Sequence, residues 1–173
     1  MDEHGRVHYY GHDERGLELV ENRARALMLS NPEIERLKTL VGSHMRAHLL
    51  AKENPVVSRR AIYRYFRATG PAGVELCLLS LADMLAVYGP TLPQAAWQAE
   101  LDVCRSLLEA WWDKPAQLVN PPRLLTGDDL QRLFWLKPGR QIGDLLEALA
   151  EAHAAGEVTT PAEPEALQRN RLT

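Results

Sequence analysis

The stretch PQAAWQAELDVCRSLLEAWW, residues 93–112, decides the fold class. Trp97, Leu101, Cys104, Leu108 and Trp111 recur at steps of three and four, which is one stripe of a helix; a half-buried strand would alternate instead. Working outward, the same period returns in every neighbouring segment. Ala72 to Tyr88 reads as a helix with Val74, Cys77, Leu78, Leu81 and Leu85 inward, ended by Gly89-Pro90. Ser58 is a natural N-cap for a helix running to Thr69, with Ile62 and Phe66 facing the core. Before it, one helix places Ile34, Leu37, Val41, His44, Met45 and His48 on a single face and breaks at Asn54-Pro55. An earlier helix, Gly16 to Leu29, does so with Leu17, Val20, Ala24, Leu27 and Met28. Ser30-Asn31-Pro32 separates the two, since Pro is tolerated in a first helical turn.

Beyond Trp112 comes a Pro-bearing stretch, Lys114 to Arg123, the best internal boundary of the chain. Thr126-Gly127-Asp128-Asp129 then opens a short helix to about Leu136 in the manner of a capping box. After the turn Lys137-Pro138-Gly139, a last strong helix spans Arg140 to Ala155 with Ile142, Leu145, Leu146, Leu149 and Ala152 inward, and Gly156 stops it. A further short turn is expected around Glu165 to Gln168. Only His4 to Tyr10 reads as extended. The expected fold is therefore all-α, a multi-helix bundle divided into residues 1–113, a linker 114–124, and a C-terminal helical segment 125–173.

Length and charge bound the function. The 173 residues suit about one domain with a real core. The net charge of −3 excludes a chain that grips nucleic acid through bulk charge alone. That charge is unevenly spread, because residues 1–70 carry 12 Lys/Arg against 9 Asp/Glu and five of the six histidines. Two cysteines are too few for a disulfide scaffold or a thiolate zinc cage. No apolar run approaching a membrane span and no leader stand out, so a cytoplasmic protein is expected. The phosphate loops, nucleophile elbows and zinc-protease motifs of common enzymes are missing.

Three constellations remain. His44 and His48 stand four apart on one helical face, His12 lies in the Gly11-His12-Asp13 step, and Asp83 sits inside the apolar helix 72–88. Burying that carboxylate would be costly unless it is paired or ligates a metal. The second is SRRAIYRYFR, residues 58–67, where Arg60, Arg64 and Arg67 share a face with Arg59 and Tyr63 beside it. Guanidinium forks match phosphate, and tyrosine rings stack on bases. The bland reading is a helix face that pairs with nearby acids. The third is Lys137 and Arg140 at the start of the last helix, where backbone N–H groups and the dipole also favour an anion.

The order of these pieces resembles the C-terminal half of the bacterial tRNA nucleotidyltransferases (the CCA-adding enzymes) and related poly(A) polymerases. The resemblance is carried by Asp2 to Asp13 (DEHGRVHYYGHD), by Leu40 to Met45 (LVGSHM) with Leu81-Ala82-Asp83, by Leu125 to Leu130 (LTGDDL), by Pro138 to Leu146 (PGRQIGDLL) and by Ala152 to Thr160 (AHAAGEVTT). It implies that residues 1–113 are a partial HD-like helical region and that 125–173 is the family's C-terminal segment. It also implies tRNA or another structured RNA as partner, with Arg59, Arg60, Tyr63, Arg64, Arg67, Lys137 and Arg140 as contacts. His12, His44 and Asp83 would be remnants of the HD metal ligands. The Gly-Ser pair and acidic residues of the family's nucleotide-adding head are absent from these residues, so no cofactor is expected in this chain and the magnesium would sit in a parent enzyme's head. The chain is expected to be a piece of a longer protein, inactive alone. Leu17, Val20, Leu37 and Val41 are then partly exposed where earlier helices would pack, which favours self-association. Two other readings stand beside this one: an HD-type metal-dependent phosphohydrolase fragment, and a structural helical dimerisation module.

Overall fold

The computed structural model describes residues 12–53 and 56–159, with side chains from Arg15 onward. The expected extended segment at His4 to Tyr10, the break at Asn54-Pro55 and the turn at Glu165 to Gln168 lie outside the described residues, as does most of the 2–13 segment. Among the described residues the chain is all-α, with eight helices and no strand. They are α1 (His12–Ala26), α2 (Asn31–Ser43), α3 (Arg46–Glu53), α4 (Arg59–Thr69), α5 (Ala72–Tyr88), α6 (Gln94–Asp113), α7 (Gly127–Phe134) and α8 (Arg140–Ala155).

Local chemistry sets the ends. Ser58 Oγ accepts from the Ala61 N–H at 3.1 Å and so caps α4. Thr126 and Asp129 exchange the bonds of a capping box at α7. Ser30 is likewise coupled to Glu33 through its backbone N–H at 2.8 Å. Gly70 and Gly156 adopt positive φ after α4 and α8, where a side chain would be strained. At the end of α1, Met28 takes φ 59 and closes the helix at Ala26. The expected inward stripe of α1 therefore fails at its last two positions: Leu27 and Met28 are exposed.

Two apolar clusters form. The larger gathers Ala47, Ile62, Tyr65, Phe66, Leu76, Cys77, Val103, Cys104 and Leu107 from α3 to α6. Leu118 and Val119 also enter it, from the π-helical turn Pro115–Val119, so the Pro-bearing stretch packs onto the helices before it. The smaller joins Leu125, Leu130, Ile142, Leu149, Ala152 and Val158 around α7 and α8. α1 and α2 approach closely at their glycines: a Cβ on Gly16 would lie 2.8 Å from Val41, and one on Gly42 3.2 Å from Leu17. Leu17, Val20, Leu37 and Val41 are half-buried.

Four expectations are corrected. The helix expected to run from Ile34 through His48 breaks at His44-Met45, so α2 and α3 are separate. In α5 the inward face is Leu76, Cys77, Ser80 and Met84, whereas Leu78 and Leu85 are exposed. Asp83, expected to be buried, is exposed too. The cause is composition. α5 is apolar nearly all round, so its own period does not select a face, and packing against α6 does. Together with the following turn, residues 72–91 are also long and apolar enough, by length and composition, to cross a membrane, contrary to the sequence expectation.

Candidate nucleic-acid interface

α4 is amphipathic because aromatic and charged residues alternate around it. Ile62, Tyr65 and Phe66 go into the larger core, where the Tyr65 and Phe66 rings stand T-shaped with centroids 5.1 Å apart. This leaves Arg60, Arg64 and Arg67 on the opposite side, in the row expected from their spacing.

The structure lays that row along α8, whose carboxylates recur at Glu147 and Glu151. Arg64 grips Glu151 through Nε and Nη2 at 3.0 and 2.6 Å. Arg67 Nε donates to both oxygens of Glu147 at 2.8 and 2.9 Å. Arg60 reaches Glu157 at 2.7 Å and lies 2.9 Å from Glu151. The latter approach lacks hydrogen-bond alignment, so Arg60 Nε is a buried side-chain donor without an acceptor, the single such atom among the described residues. Arg59 Nε donates to the Ala154 carbonyl at 2.8 Å, and the Tyr63 hydroxyl to Glu147 at 3.0 Å.

Tyr63 is buried, so it offers no ring face to a base. Burial pushes its phenol up to about 12, and the neighbouring Glu147 carboxylate adds to the effect. The Arg67 hydrogen bond holds the Glu147 carboxyl below the usual range, with Tyr63 helping against the cost of burial. The hydrogen bonds they donate to Glu151 and Glu147 raise Arg64 and Arg67 in turn. The five α4 residues are thus brought together as expected, but four of them meet carboxylates of their own chain and Arg59 a backbone carbonyl. Arg64 and Arg67 nonetheless keep about two thirds of their side chains exposed (65% and 63%), so their outer edges stay open to a ligand.

Lys137 and Arg140 lie apart from this row, in the turn before α8 and in its first residue. Arg140 is nearly fully exposed, with Asp144 4.0 Å away. A cleft of about 450 Å³ separates α4, the 119–125 segment and α8, with Arg67, Arg123 and His153 on its walls.

The histidine and acid constellation is only partly assembled. His44 and Asp83 line one small cavity with His48 and Ser80. His44 Nδ1 donates to the Val41 carbonyl at 2.7 Å. Among the described residues no group of three or more His, Cys, Asp or Glu side chains is placed to hold a metal ion. The side chain of His12 lies outside the described residues. The buried acid of this region is Glu100, which sequence reading passed over. It accepts a short hydrogen bond from Ser80 and one from His48 Nδ1 at 3.2 Å. The signal was present, since Glu100 precedes Val103, Cys104 and Leu107 at helical spacing on the inward stripe of α6.

The chain is similar to the A-adding tRNA nucleotidyltransferase of Deinococcus radiodurans, 35% identical over 163 residues that make up 94% of this chain and 35% of that protein. It is also similar to the CC-adding tRNA nucleotidyltransferase of Thermus thermophilus, 30% identical over 163 residues and 34% of that protein. The CC-adding enzyme of Geobacter sulfurreducens matches at 36% identity over 114 residues, 65% of this chain. No protein-family model and no solved structure matches. The chain spans about a third of the length of the first two relatives, and the resemblance to tRNA nucleotidyltransferases holds over nearly all of its residues. The phosphohydrolase reading is not favoured by these relatives.

Proposed function

We propose that this chain, homologous to part of the tRNA nucleotidyltransferases, is a helical portion of such an enzyme that holds tRNA while a nucleotide-adding head outside these residues works on the 3′ end. The observation that carries the reading is the similarity over 94% of the chain to two proteins named for adding A or CC to tRNA. The architecture is consistent with it. A-form RNA is read through phosphate, 2′-OH and overall shape, which calls for a rigid framework with a few placed cations. Here Lys137 and Arg140 project at the start of α8, and the Arg64 and Arg67 guanidiniums are held in fixed positions at a half-open surface. Exposed ion pairs are worth little, so phosphate oxygens can share or displace the carboxylates that hold them. A cytoplasmic setting goes with a tRNA partner.

Fluorescence anisotropy with end-labelled tRNA tests this. Binding that weakens steeply with salt, and that favours folded tRNA over an unstructured RNA of equal length, is the expected result. Equal affinity for both RNAs, or none at low salt, would overturn it.

A further inference from the structure

A second cleft lies on the other side of α4, between its N-terminal half and the corner where α2 passes into α3. It is about 530 Å³ in volume, and its walls carry Arg46, Arg60, Arg64, Glu53, Tyr65 and Leu49. That size falls within the range of ligand-binding cavities. Three guanidiniums face one carboxylate inside it. Arg60 and Arg64 are pinned from the α8 side by Glu151 and Glu157, so their positions are fixed before any ligand arrives. Arg46 makes no ion pair among the described residues, and it is exposed at the cleft. Its guanidinium therefore faces the cleft without a carboxylate of the described residues holding it.

We propose that this cleft is a phosphate site, seating one phosphodiester of the RNA backbone on Arg46, with Arg60 and Arg64 completing the positive wall. Guanidinium forks take two phosphate oxygens at once, and the exposed Leu49 side chain on its wall suits the uncharged face of a ribose. The assignment rests on the tRNA reading above and deepens it. It adds a residue, Arg46, that lies 13 positions before the arginine-rich helix and belongs to no motif in the sequence. The same oxyanion chemistry would serve a free polyphosphate, and the test separates the two.

The experiment measures tRNA affinity of the 173-residue chain across a salt series, for wild type, Arg46→Ala, Arg46→Lys and Arg105→Ala, with inorganic pyrophosphate as a second probe. Arg46 is exposed, so its replacement leaves the core intact. Loss of one phosphate contact should lower the slope of log K against log salt by about 0.8 and weaken binding about sixfold at 0.1 M salt. Arg46→Lys should keep most of the slope. Arg105→Ala, on α6 outside the cleft, should change affinity less than twofold. Equal losses in Arg46→Ala and Arg105→Ala would reduce the effect to bulk charge and overturn the site. So would an Arg46→Ala chain that binds tRNA like wild type, a result that leaves the tRNA reading standing. Pyrophosphate binding that needs Arg46 while tRNA binding does not would overturn the backbone assignment in favour of a free phosphate. A wild-type chain that binds no tRNA would remove both readings together.

Discussion

Replacing Glu147 and Glu151 by Gln withdraws the two α8 carboxylates that hold Arg64 and Arg67, and it separates two readings of the α4 arginines. If they serve only to dock α8, the double variant loses stability and nothing else. If they are also phosphate contacts, the variant should bind RNA better. Three ion pairs are lost: Arg60–Glu151, Arg64–Glu151 and Arg67–Glu147. Their arginine side chains are 41% to 65% exposed, so screening limits them to about 0.2–1 kcal/mol each, roughly 1–2 kcal/mol together. A chain of this size should then melt about 3–6 °C lower and remain folded. Two guanidiniums released toward phosphate should steepen the salt slope of tRNA binding by about 1.6. Between 200 and 50 mM salt, that is an extra gain of about ninefold over wild type. The assay is tRNA anisotropy at both salts, with Arg64→Ala and Arg67→Ala added in the double-variant background. An unchanged slope, or a gain that persists when both arginines are removed, would refute the reasoning and leave the row as a docking device.

The same contacts predict a pH dependence. Arg67 holds the Glu147 carboxyl below its unfolded value, so its contribution is fully present above about pH 4.5 and is lost as pH falls through the folded value. Glu147→Gln should flatten the acid side of a melting-temperature profile, and an unchanged acid slope would count against the pair. Two glycines should respond oppositely to alanine. At Gly73 a Cβ would lie 2.6 Å from Thr69 Oγ1 and 2.8 Å from the Phe66 ring, so Gly73→Ala should destabilise markedly in urea. At Gly143 nothing lies within 4 Å, so Gly143→Ala should stabilise by about 0.5–1 kcal/mol. Glu100→Gln should cost about 1–3 kcal/mol, because an amide nitrogen replaces one of two buried acceptors used by Ser80 and His48. A urea midpoint within error of wild type would contradict that network.

The sequence by itself determined the helical class and most of the element ends. Capping chemistry is local, so Ser58, Thr126, Gly70 and Gly156 announced their turns without reference to the rest of the chain. Amphipathic helices also showed their faces, because in α4 and α8 polar and apolar residues sit on opposite sides. The motifs at 125–130, 138–146 and 152–160 were specific enough to bring the relatives into view. Tertiary structure alone decided what those faces meet. In α5 nearly every residue is apolar, so only packing against α6 shows that Leu76 is buried while Leu78 and Asp83 look outward. The arginines of α4 read as a phosphate surface because residue type and spacing say nothing about a helix some 80 positions later. Glu147 and Glu151 neutralise them across that distance, and the same fold carries Arg46 to the far side of α4. Local interactions are written in short stretches of sequence; electrostatic partners are chosen by chain topology, which acts only once the helices have packed.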